Sequence, residues 1–154
     1  MGELNEDLTI GSEPNALVLF NPALLLAAAP GYPQWDASRE ESLRLRMGTA
    51  PKNLSPWYFV QSATPPTLVF HGQADTTIPF WTAQAFQQAQ LNHGGRSRLV
   101  AFPNAKHGFF NFGRSNNAAF RKTLEETDRF LQSLGYLEGP QRVEDYLARV
   151  APSK

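Results

Sequence analysis

The chain has 154 residues, 42% of them hydrophobic, enough for one globular domain with a modest core. Basic and acidic residues each number 14, so the net charge is zero, and no clustered basic excess points to nucleic acid or an anionic membrane as a partner. Cysteine is absent, which excludes disulfides, zinc–cysteine sites and a cysteine nucleophile.

Residues 1–14 read as a polar lead-in. Their acidic start is unlike a secretory signal. The longest apolar run, 22–30, is too short to cross a bilayer, and the expectation is a soluble, cytoplasmic chain. Ala16-Leu17-Val18-Leu19-Phe20 is a continuous apolar run that Asn21-Pro22 stops. Such a run fits a strand buried on both faces, as in parallel sheets.

Residues 23–57 form a long excursion. Asp36 is placed to N-cap a helix over about 37–47, with Glu40 and Glu41 near its positive end and Leu43 and Met47 on one face. Pro65-Pro66 then leads into a second strand, Thr67-Leu68-Val69-Phe70-His71, stopped by Gly72. Pro79 suits the first turn of a helix through about residue 92, which Gly94 and Gly95 end.

Arg98-Leu99-Val100-Ala101-Phe102 predicts a third strand, stopped by Pro103. Phe120, Leu124, Thr127, Leu131 and Leu134 then step by four and three along one helical stripe, with Gly135 as the stop. After Gly139-Pro140, Val143, Tyr146, Leu147 and Val150 mark a short amphipathic tail helix within 138–154. Strands alternating with helices argue for an α/β domain over 15–137 with a mainly parallel sheet and flanking helices. Open α/β sheets carry their sites just beyond the C-terminal ends of the strands, here after Phe20, His71 and Phe102.

Two of those loops hold a carboxylate and an imidazole, Asp75 and His107. Serine hydrolases use this pair: the carboxylate fixes the imidazole tautomer, and the imidazole takes the nucleophile's proton. Gly108 leaves room for a tight turn beside the ring. Other readings exist for single residues. Asp75 also suits a helix cap, His71 a structural imidazole bonded to backbone, and His93 a ring at a helix C-terminus. Phe109, Phe110 and Phe112 read as core aromatics. Trp35, Trp57, Tyr58 and Trp81 read as core packing, or as a lid or acyl pocket.

The run from Pro66 to Pro79, with His71-Gly72 closing a strand, Asp75 three residues on and Ile78-Pro79 opening a helix, resembles the acid-bearing segment of α/β-hydrolase esterases and prolyl-oligopeptidase-like peptidases. His107-Gly108-Phe109 resembles their histidine segment. Leu54-Ser55-Pro56 and Leu19-Phe20-Asn21-Pro22 resemble microbial carbohydrate-esterase and feruloyl-esterase-like members. The resemblance covers about 15–137. It implies a partial α/β-hydrolase fold, with Asp75 as triad acid and His107 as triad base, a small ester substrate, and no cofactor or metal.

The nucleophile should precede the acid in chain order. Ser12, Ser38, Ser42, Ser55 and Ser62 do so, but none sits in Gly-X-Ser-X-Gly, and no HGGG-type oxyanion segment is present. At about 30 residues per βα unit, the family's roughly eight strands need about 240 residues. Only the last three have counterparts here. The sequence therefore implies the C-terminal portion of a serine hydrolase, inactive until a nucleophile-bearing N-terminal half is supplied. The alternative is a non-catalytic binding or self-associating module on the same scaffold.

Overall fold

The computed structural model describes residues 11–150, so the polar lead-in falls outside the described residues as far as residue 10, and the tail beyond residue 150 does too. Three strands, β1 (Leu17–Phe20), β2 (Thr67–Gly72) and β3 (Ser97–Phe102), form a parallel sheet in the order β1-β2-β3. Val18 pairs with Leu68, and Val69 with Leu99. Side chains alternate across a strand. One face therefore presents Val18, Leu68, Phe70, Val100 and Phe102, and the other presents Leu19, Val69 and Leu99.

Helix α3 (Ala118–Ser133) covers the first face through Phe130, Leu131 and Leu134. Helix α2 (Phe80–Asn92) covers the second through Ala83 and Phe86, joined there by Leu24 and Trp57 of the excursion. Sandwiched in this way, every residue of β2 is buried. This is the expected α/β class with a parallel sheet and flanking helices.

The apolar run at the first strand is different. β1 is half-buried along Leu17–Leu19 and exposed at Phe20, because it pairs with β2 on one side and forms a sheet edge on the other. An apolar strand reads as interior from composition alone. Burial on both faces also needs a neighbour on each edge, which the described residues do not supply.

Within the excursion, α1 (Ala37–Met47) has the expected bounds. The Asp36 side chain accepts from the Ser38 and Arg39 amides, and Gly48 closes the helix in a left-handed conformation. Leu43 and Met47 lie on its inner face. Two short 3-10 turns, Pro51–Leu54 and Pro56–Phe59, follow, each opened by a proline. Buried Ser55 joins them, accepting from the Leu26 amide and donating to the Pro51 carbonyl. Trp57 donates to the Ala85 carbonyl at 3.2 Å and pins this segment to α2.

Two expectations shift. Pro79 is the N-cap of α2 rather than its first helical residue. The sheet-facing row of α3 includes Thr123, Glu126 and Phe130, one residue round from part of the predicted stripe. Glu126 is buried there because Arg98 of β3 pairs with it. Phe120 and Leu124 instead face a groove shared with Val143 and Tyr146 of α4 (Val143–Val150), which Arg121–Glu144 also ties to α3. The stripe thus serves two partners, and periodicity alone does not divide them.

Candidate active site

The acid loop begins where β2 ends. Gly72 is the last residue of the strand, and its Cα faces the Ala105 carbonyl of the loop after β3. A Cβ at this position would stand 2.2 Å from that oxygen, so only glycine fits. The two loops are then joined by backbone: Gln73 N–H donates to the Phe102 carbonyl and Ala74 N–H to the Ala105 carbonyl, both at 3.0 Å. This join brings residue 75 opposite residue 107.

Asp75 has a fully buried side chain with both oxygens engaged. Oδ1 accepts from the amides of Thr77 and Ile78, at 2.8 and 2.9 Å, which closes its own loop. The capping residue type therefore serves a turn here, not the helix itself, whose N-cap is Pro79. Oδ2 accepts from His107 Nδ1 at 2.8 Å. Burial works to raise the Asp75 pKa, but the bonds from Ile78, His107, Asn21 and Thr77 together outweigh it and hold the carboxyl below its ordinary value. The group is therefore ionised at neutral pH and accepts from every donor around it.

The His107 ring is 46% exposed. A carboxylate can only accept, so Nδ1 carries a proton, and in the neutral ring Nε2 is the acceptor. Gly108, at φ +71°, makes the left-handed turn after it. Phe109 is buried against Phe102, which anchors the loop. Of the three phenylalanines expected in the core, Phe109 is buried and Phe110 half-buried. Phe112 is exposed and meets Phe120 edge-on.

Asn21 is a further contributor; in the sequence it reads as a strand stop and as part of the Leu19-Phe20-Asn21-Pro22 segment that resembles esterases, with no role in the site. It follows β1 in a left-handed conformation, φ +44°, and is buried. Its Nδ2 donates to Asp75 Oδ2, the same oxygen that receives the His107 proton, while its Oδ1 has no partner among the described residues. The signal available was position: the loop after Phe20 is one of three at the functional edge. Arg39 contributes from α1, stacking over Trp35 at 4.4 Å and donating to the Thr77 carbonyl.

The remaining histidines have local partners. His71 is buried, bonds its Nδ1 to the Gly72 carbonyl, and is held below the ordinary imidazole pKa by burial. His93 bonds the Ala89 carbonyl at the end of α2. Ser55 is the structural staple described above. Ser12 lies ahead of β1 and Ser62 ahead of β2, at the opposite edge of the sheet from Asp75. Ser38 and Ser42 are exposed residues of α1. Among the described residues, no group of three or more metal-binding side chains comes together.

A parallel sheet sandwiched by helices, with a carboxylate–imidazole pair on adjacent loops at its C-terminal edge, defines an α/β-hydrolase. Residues 34–135 match the prolyl oligopeptidase family. The chain belongs to that family. It is similar to a thermophilic esterase from Thermogutta terrifontis, with 46% identity, coverage of 89% of this chain and 48% of that chain, and a TM-score of 0.75. The propionate-bound form of that esterase gives 45% identity, 92% and 50% coverage, and a TM-score of 0.76. A probable chloroplastic glutamyl endopeptidase from Oryza sativa subsp. japonica is 35% identical over 81 residues, 51% of this chain and 8% of that protein. The chain thus spans about half the length of the esterases it matches and a small part of the endopeptidase.

Proposed function

We propose that Asp75 and His107 are the acid and base of a Ser-His-Asp triad that hydrolyses carboxylic esters, with the serine supplied by residues outside this sequence. The observation that carries the reading is the Asp75 Oδ2–His107 Nδ1 bond, 2.8 Å long, with a buried carboxylate and a half-exposed ring. In this arrangement Nε2 takes the proton from the serine hydroxyl as oxygen attacks the ester carbonyl. It then returns the proton to the departing alkoxide. Asp75 holds the tautomer and stabilises the imidazolium. Similarity to the Thermogutta terrifontis esterase favours an ester substrate over a peptide.

The open edge of β1 is where the nucleophile-bearing half would join the sheet. The exposed Phe20, in tilted ring contact with Phe70 and Phe110, lies at the C-terminal end of that edge. The test is reconstitution. The chain is mixed with the part of the Thermogutta terrifontis esterase that the match leaves uncovered, and association and p-nitrophenyl butyrate hydrolysis are measured together. The expected result is turnover by the complex and none by either piece alone. A complex that forms and stays inactive would count against the reading.

A further inference from the structure

We propose that a cavity behind the histidine loop binds a small organic oxyanion with an apolar body, such as an aryl or alkyl carboxylate or phosphate monoester. The cavity holds about 490 Å³, within the range of small-molecule sites. Its floor is apolar: Phe102 and Phe109 are buried there and packed against each other. Its rim carries three cations, Lys106, Arg114 and Lys122, and no carboxylate lines it.

The charge is the informative feature. Over the whole sequence acids and bases balance, yet this site collects three bases and no acid. The carboxylates of α3 nearest in sequence lie further along the helix and are engaged elsewhere: Glu125 pairs with Arg129, and Glu126 with Arg98 and Arg129. Among the described residues, Lys106, Arg114 and Lys122 form no ion pair; Lys122 rests over the Phe102 ring at 5.1 Å. Three like charges around one concavity repel one another and are relieved by an anion. Asn104 and Ser115, also among the lining residues, add neutral hydrogen-bonding side chains.

Position separates this site from the triad. It opens beside β3 and α3, at the opposite side of the sheet from the free edge of β1. It also reaches the triad through one segment. Four lining residues, Pro103, Asn104, Ala105 and Lys106, directly precede His107, and the Ala105 carbonyl bonds Ala74 of the acid loop. An occupant therefore braces the segment that positions the imidazole.

The test is binding to the chain itself, by calorimetry and amide NMR, and does not depend on the triad reading. Phenyl phosphate and benzoate are the probes, with inorganic phosphate and phenol as fragments carrying only the charge or only the ring. Saturable binding of a probe, with shifts at Ala105, Lys106 and Ala119, is expected. Arg114→Gln with Lys122→Gln should weaken it by about tenfold or more. Each fragment should bind at least about tenfold more weakly than phenyl phosphate. No saturable binding by either probe, binding unchanged in the double variant, or shifts confined to another surface would overturn the proposal. Inorganic phosphate binding as tightly as phenyl phosphate would also overturn it, since the apolar floor would then contribute nothing.

Discussion

Replacing Gly72 with alanine tests how the acid and base are brought together. The added Cβ would stand 2.2 Å from the Ala105 oxygen and 2.8 Å from its carbon, where ordinary contact begins near 3.4 Å. Both atoms are backbone, so no side chain can swing aside. The loop after β3 must withdraw by about 1 Å, and overpacking of this kind costs about 1–3 kcal/mol. The withdrawal also stretches the Ala74–Ala105 bond, worth about 1 kcal/mol. The expected loss is about 2–4 kcal/mol, a large part of the ~5–15 kcal/mol of a typical domain. Urea unfolding followed by circular dichroism measures it, with Gly11→Ala as control, since a Cβ there meets nothing within 4 Å. The low-field Nδ1 proton signal of His107 should disappear in the same variant. Stability within about 0.5 kcal/mol of wild type, with that proton signal intact, would refute the reasoning.

Other consequences follow from the same contacts. Ser55→Ala leaves the Leu26 amide and Pro51 carbonyl without their buried partner, and should cost about 2–4 kcal/mol in urea unfolding without disturbing the His107 proton signal. Asn21→Ala removes one of the donors that lower the Asp75 pKa, so a carboxyl-carbon NMR titration should show it rising toward the ordinary range; no change would mean the contact is not maintained in solution. Stability should fall with acid in two stages. His71 is held neutral by burial, so the folded state loses ground as pH drops below the ordinary imidazole value of about 6.5. Asp75 has a lowered folded pKa, so its contribution is fully present above the ordinary carboxylate range, about 4, and is lost as pH falls through the lowered value. His71→Phe should flatten the first stage and leave the second in place. The isolated chain should self-associate through β1, whose outer edge is a template for another strand. Light scattering that finds a monodisperse 17.1 kDa species at micromolar concentration would reject this.

Much of the architecture was legible because local chemistry and tertiary context agree. Asp36 and Gly48 bound α1 where capping rules put them, and the β2 run is as buried as its composition suggests. The spacing from His71 through Asp75 to Pro79 carried the acid loop, and its meaning is now physical: Gly72 is the point at which one loop's backbone touches the other's. What the sequence did not disclose depends on partners distant along the chain. Asn21 and Asp75 are 54 residues apart, and nothing local to Asn21 marks it as a donor to that carboxylate. The division of the α3 stripe between sheet and α4 follows from the Arg98–Glu126 pair, which draws a charged residue inward against its usual preference. The two 3-10 turns at 51–59 rest on Ser55 bridging backbone groups that a periodicity search does not see.

The central claim is that Asp75 and His107 act as a catalytic pair. Its most direct test is Asp75→Asn in the reconstituted complex with the esterase half. Asparagine keeps the shape and much of the loop's bonding through Oδ1. With that oxygen on the Thr77 and Ile78 amides, it presents an amide N–H to His107 Nδ1, forcing the proton onto Nε2 and removing the charge that stabilises the imidazolium. Association with the other half should be unchanged, while kcat for p-nitrophenyl butyrate should fall by about 10⁴-fold, the scale of a wrong-tautomer triad. A complex that assembles normally and keeps wild-type kcat with asparagine at position 75 would contradict the account.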